Sequence, residues 1–221
     1  MIHEPIEPVE ASTPTMTSGA AAPSDTTSAR MPAAERRRQL LDVSRAVLAR
    51  NGYYETTMSD IADAAGVTKP VLYQHFESKR DLYTAVLEEV GDRLSTSILE
   101  AAEAAESPRH KVAAGYGALI DFFQTDNDGF RVLFSGTTRQ DPEWAPIAQR
   151  AEHSIASGIA DMMDIADMSR AHKLTLAHGV VGLAESMMRY WQSGQAGDLD
   201  LDDLLNDLVK LAWGGLRGLE A

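Results

Sequence analysis

From Ala33 to the C-terminus, apolar side chains return at three-, four- and seven-residue intervals, and no stretch alternates apolar with polar long enough to form a strand. That periodicity confines the ordered chain to helical architectures. Cysteine is absent, which excludes disulfides, thiolate nucleophiles and thiolate metal sites. At 221 residues the chain can bury enough surface to fold as one large domain or two small ones without such staples. No apolar run approaches the roughly 20 residues that span a bilayer, and the N-terminus lacks a basic start followed by an apolar core, so a cytoplasmic protein without membrane contact is expected.

Turn and capping residues divide the helical pattern. Residues 1–31 are dominated by Pro, Ser, Thr, Ala and Glu and read as a disordered tail. Leu40, Leu41, Ala46, Val47 and Leu48 then mark a first helix that Asn51 and Gly52 stop. Thr57, with Asp60 three residues on, predicts a capped second helix whose inner face is Met58, Ile61, Ala62 and Ala65, ending at Gly66. Thr68 is placed to cap a third, with Lys69 and Pro70 in its first turn and Leu72 and Phe76 facing inward. Ser78 and Asp81 open a long fourth helix with the stripe Leu82, Val86, Val90, Leu94 and Ile98. Val112, Tyr116, Leu119 and Phe123 give a fifth, which fails at the turn cluster Asp126 to Gly129. A short helix through Phe130 and Phe134 and another from Pro146 to Met163 follow. The last two, around 174–191 and 201–219, carry broader apolar faces than one bundle covers, which predicts a homodimer packed through them.

Charge is distributed unevenly. The net charge is −13, yet the segment Arg30 to Arg80 carries nine basic and six acidic side chains, while the remainder from Asp81 onward has eleven basic against twenty-three acidic. A basic module on an acidic body is the asymmetry expected of a nucleic-acid reader joined to something else.

Within that basic module, Thr57 to Phe76 has the anatomy of a helix-turn-helix. With Leu72 and Phe76 turned inward, Lys69, Val71, Tyr73, Gln74 and His75 face outward. Lysine supplies charge for a phosphate or a guanine edge, glutamine a paired donor and acceptor for adenine, and tyrosine a phosphate contact. Lys79, in the first turn of the fourth helix, and the cap Thr57 are placed to hold phosphates beside free backbone N–H groups. Arg30, Arg36, Arg37 and Arg38 are further candidates for the DNA backbone or a minor groove.

The run GYYETTMSDIADAAGVTKPVLYQHFESKRDLYTAVL resembles the DNA-binding domain of the TetR family of transcriptional regulators. The resemblance implies an all-α homodimer whose protomers carry an N-terminal three-helix helix-turn-helix domain and a C-terminal helical effector-binding and dimerisation domain. It further implies binding to double-stranded palindromic operator DNA, relieved or promoted by a small molecule, and by family habit repression. By the same resemblance, DNA contacts fall on Thr57, Thr68, Lys69, Tyr73, His75 and Lys79. In the second half, GFRVLF, the Arg189 to Trp191 triplet and the Ala212 to Leu216 run resemble actinobacterial regulators of fatty-acid synthesis that respond to long-chain acyl-CoA, which implies a long apolar tunnel. The domain limits expected are 32–78 for the reading head and 79–221 for the effector and dimerisation body.

Candidate lining for an apolar effector is Leu94, Ile98, Leu119, Phe122, Phe123, Met163, Leu183 and Met187. His172 and His178, six apart, do not share a helical face, and His110 and His153 lack carboxylates at metal spacing, so no metal is expected. No phosphate loop and no nucleophile–base constellation is present, so neither a catalytic residue nor a cofactor is expected. The alternative to a regulator is a helical protein–protein adaptor that uses the same long apolar faces without operator binding.

Overall fold

The computed structural model describes residues 31–218, and all of its regular structure is helical. The tail expected over 1–31 falls almost wholly outside the described residues, as do Arg30 and Leu219. Three N-terminal helices, α1 (Ala33–Asn51) and the short α2 (Met58–Ala64) and α3 (Lys69–Tyr73), precede the long α4 (Lys79–Glu103). The rest is α5 (Pro108–Thr125), α6 (Asn127–Leu133), α7 (Gly136–Gln140), α8 (Ala145–Met162), α9 (Arg170–Gln192) and α10 (Leu201–Arg217).

Helix α4 is the central element. Leu82, Val86, Leu87, Val90 and Leu94 are all nearly or fully buried, and each contributes about 1.5–3 kcal/mol of apolar transfer. Its neighbours are α5, α8, α6 and α1. At Gly91 the axis of α8 comes so near that a Cβ there would sit 3.1 Å from the Cβ of Ala151. Ser95 answers the same close approach by donating to the carbonyls of Gly91 and Ala151.

Local chemistry ends the first two head helices where the sequence predicts. Gly52 and Gly66 take φ values of +78° and +64°, a left-handed turn that costs glycine little. Thr57 and Asp60 form a reciprocal capping box at α2. Thr68 differs from expectation: it is the N-cap residue of α3 but makes no side-chain capping bond, because Pro70 already presets the first turn.

Two further departures stand out. The segment after Phe134 forms a helix the periodicity does not announce, α7, capped by Ser135 through the Thr138 amide. Thr138 is fully buried there, its hydroxyl shared among Tyr83, Ser135 and the carbonyl of Val132. Asp126 does end α5, yet it also caps α6 through the Gly129 amide and is itself buried.

Candidate nucleic-acid interface and ligand cavity

The outward face of α3 follows from two anchors. Leu72 is fully buried and Phe76 is 1% exposed, so the residues between and before them turn to solvent. Lys69, Tyr73 and Gln74 are exposed, with Tyr73 at 49%, and Thr57 and Thr68 are exposed beside them. Val71 and His75 are half-buried on the flanks. The guanidinium of Arg37 stacks 4.9 Å from the Phe76 ring centre, which fixes the turn after α3 to α1. Arg36 bonds Gln39, and Arg38 is exposed. Asp60 lies near this face, and the Thr57 amide and hydroxyl, helped by Lys69, hold its carboxyl below the usual range.

Lys79 is placed differently from the phosphate contact expected of it. Its Nζ donates to the carbonyls of Tyr53 and Thr56, both at 2.8 Å, and lies 4.2 Å above the Tyr53 ring. Two of its three N–H groups are thus spent on the loop between α1 and α2. The lysine braces the reading head against the first turn of α4.

An aromatic cluster extends that brace. Tyr53 meets Tyr83 of α4 and Trp144 of the α7–α8 loop with ring centres 4.9 and 4.4 Å away, and Arg80 pairs with Glu143 beside them. Burial and the nearby Glu143 carboxylate push the Tyr53 hydroxyl up, and burial does the same for Tyr83. Tyr53 and Trp144 lie in two separate loops and carry no periodic signal, which is why sequence reasoning passes over them.

Two apolar cavities lie in the body. The first, of about 60 Å³, is walled by residues that include Leu94, Ile98, Tyr116, Leu119, Phe130, Phe134, Ile155 and Met188. The second, of about 110 Å³, is walled by residues that include Ile98, Lys111, Tyr116, Met163, Asp164, Val180, Trp213 and Leu216. Of the eight residues expected to line a ligand site, Leu94, Ile98 and Leu119 line the first and Ile98 and Met163 the second.

Phe122, Phe123, Leu183 and Met187 do not line either cavity, a correction to the expected set. Phe122 is buried beneath Arg93, and Phe123 stands edge-on to Phe130 and Trp191. Leu183 lies in a surface groove with Leu176 and Leu211, and Met187 in another with Tyr190 and Trp191. Helical spacing separates inside from outside, but it does not say which inward side chains meet another side chain and which meet a void.

A polar group borders the first cavity. Arg139 pairs with Glu152 at 3.3 Å and Glu185 at 2.8 Å, and both glutamates stand at the wall while their paired carboxylates add almost no polar surface to it. Burial raises Glu152 above the ordinary carboxylate range, with Arg139 opposing and Glu185 adding to the rise. His153 and His178 face one another at 3.3 Å on the exposed side of α8 and α9. Among the described residues, no group of three or more His, Asp or Glu side chains is placed to hold a metal ion. No helix of the described residues is long and apolar enough to cross a membrane.

Residues 40–86 match the family described as bacterial regulatory proteins, tetR family. The HTH-type transcriptional activator FasR of Mycolicibacterium smegmatis is 35% identical over 188 residues, 85% of this chain and 85% of that protein. The HTH-type transcriptional repressor BepR of Brucella suis biovar 1 is 28% identical over 154 residues, 69% of this chain and 68% of BepR. Among solved structures, a TetR-like transcriptional regulator from Rhodococcus sp. RHA1 is 26% identical with a TM-score of 0.64, covering 86% of this chain and 100% of that one. FadR from Bacillus subtilis, solved in complex with stearoyl-CoA, shares the fold at 17% identity and a TM-score of 0.69, covering 80% of this chain and 98% of that one.

Proposed function

The chain belongs to the TetR family of bacterial regulatory proteins and is a DNA-binding transcriptional regulator rather than an enzyme; from that premise we propose that it acts as an effector-controlled homodimer on a palindromic operator. The observation that carries this reading is the two-faced segment of α3 and the residues just after it: buried Leu72 and Phe76 on one side, exposed Lys69, Tyr73 and Gln74 on the other. In the proposed complex α3 lies in a major groove, Gln74 reads a base edge, and Lys69, Tyr73, Thr57 and Thr68 hold phosphates. Val71 and His75 complete the groove face from its flanks. Lys79 contributes through position, by keeping the head on α4.

Residues 32–78 form the reading head in this account, and 79–221 the effector and dimerisation body. Pairing of two copies falls to α9 and α10, whose outer surface carries Leu176, Leu183, Leu211 and Leu216 around the open glycines Gly179 and Gly215. Leu211 is 57% exposed and Tyr190 55%, more apolar surface than isolated α9 and α10 faces need. Two heads held by such an interface must sit one helical repeat of DNA apart, or a multiple of it.

The effector in this reading is a long apolar molecule, with an acyl-CoA as the first choice. Support comes from the nearly all-apolar lining of the first cavity and from the shared fold with a regulator solved with stearoyl-CoA. The direction of control is proposed to be activation in place of the repression expected by family habit. FasR, aligned over 85% of both chains, is an activator, whereas the repressor BepR aligns over about two thirds.

Selection of bound fragments from random DNA, followed by a promoter–reporter assay with the selected site, tests the reading. A palindromic consensus and higher reporter output with the protein present support it. Selection of fragments with no common sequence would contradict operator recognition, and lower output would contradict activation alone.

A further inference from the structure

The two apolar cavities follow one another along α4 and α5. Leu94 and Leu119 wall only the first, Ala102 and Val112 only the second, and the pair shares Ile98, Tyr116, Ile159 and Val180. Among those four, Tyr116 has the single ring and the single polar group. Its hydroxyl donates to the carbonyl of Val180 at 3.0 Å, a bond that ties α5 to α9 across the junction. Gly115 and Gly117 flank it, and glycine on both sides weakens the helix at that turn. The side chain is 6% exposed, so its motion changes only the interior.

We infer that Tyr116 is the partition that decides how long a chain the effector site accepts, an inference that rests on the effector reading above. With the hydroxyl on Val180, a chain entering the second cavity stops at the ring. A longer chain passes only when the ring swings aside, gives up that bond and joins the two spaces into one channel. The polar end of the ligand stays in the second cavity, whose wall is the more polar of the two and includes both Lys111 and Asp164. The wall of the first cavity is almost wholly apolar, which disfavours a charged head there. Short chains therefore bind without disturbing α9, and long chains release the α5–α9 tie. Chain length becomes a conformational signal because only the longer ligand has a different affinity for the two positions of the ring.

Calorimetric titration of the full chain with octanoyl-CoA and palmitoyl-CoA tests this, using the wild type, Tyr116→Phe and Tyr116→Trp. Removing the hydroxyl alone frees the ring, and Tyr116→Phe should bind palmitoyl-CoA about fivefold more tightly while octanoyl-CoA changes little. The larger ring of Tyr116→Trp should block passage, weakening palmitoyl-CoA on the order of tenfold and sparing octanoyl-CoA. Thermal unfolding of each variant confirms that the fold is kept. An unchanged ratio of the two affinities across the three proteins would overturn the partition and leave the effector reading standing. Failure of the wild type to bind either thioester would remove the effector reading, and this inference with it.

Discussion

The Nε of Arg45 lies 3.1 Å from Oδ1 of Asp126, while Nη1 of Arg93 lies 3.0 Å from the other oxygen of the same carboxylate. One buried acid thus holds α1 of the reading head and α4 at the point where α6 begins. The other end of α6 presents Phe130 and Leu133 to the first cavity. In the proposed effector-controlled regulator, a ligand that displaces α6 is expected to pull on the head through this charged joint. Glu89 and Asp42 add partners to Arg45 at its more exposed side.

Replacement of Asp126 by Asn keeps a capping oxygen for α6 but leaves Arg45 and Arg93 facing a neutral group. Stability should fall by about 1–2 kcal/mol, because Arg45 keeps Asp42 and Glu89, and Arg93 keeps Glu89 and solvent. Urea unfolding measures the loss. The effector-induced change in DNA affinity should shrink while binding of effector itself persists. A variant that is destabilised by less than a few tenths of a kcal/mol and keeps its full response would show that the joint transmits nothing.

Lys69 and Lys79 should part company in salt titrations. Lys69→Ala removes a phosphate contact and should lower the slope of log affinity against log salt by about 1. Lys79→Met should leave that slope nearly unchanged and instead cost about 2 kcal/mol of stability, because a charged donor is lost from two carbonyls. Equal slopes for the wild type and Lys69→Ala would remove Lys69 from the interface.

Leu211→Glu places a charge in the centre of the exposed α9–α10 surface. Light scattering coupled to size exclusion should report a dimer for the wild type and a monomer for the variant, with operator affinity reduced at least tenfold because one head binds alone. A dimeric variant would shift the interface away from α9 and α10.

Glu152 carries a pH signature whose sign follows from burial. Its carboxyl is raised in the folded protein, so the native state holds that proton more tightly than the unfolded chain does. The stability tied to the protonated form is complete below the ordinary glutamate value of 4.5 and is lost as pH climbs through the raised folded value. Glu152→Gln should therefore gain on the wild type as pH rises from 4.5 through the raised folded value, and the two curves should run parallel below and above that window. Chemical unfolding across pH reads the difference; parallel curves throughout would contradict it.

The reading head was the most legible part of the chain because its signals are local. The Thr57–Asp60 box, the left-handed Gly66 and the four-residue spacing of Leu72 and Phe76 each act within one or two turns. The body was legible as helices and not as a site. Phe123 and Met187 share the apolar period of true wall residues such as Leu119 and Met188, and only the tertiary packing separates them. Helix α7 has no apolar period at all, since its buried member is Thr138. The Arg45–Asp126–Arg93 joint brings together three positions far apart in sequence, and no local pattern marks it.

The most direct measurement of the central claim is the affinity of the selected operator for the wild type and for the double variant Lys69→Ala, Tyr73→Ala, each compared with unrelated DNA of equal length. Both side chains are exposed, so melting temperatures should agree. Operator affinity should drop on the order of a hundredfold, toward the level for unrelated DNA, as expected when two contacts of about 1–3 kcal/mol are lost. An intact double variant that binds the operator as tightly as the wild type would contradict the assignment of α3 as the element that reads DNA.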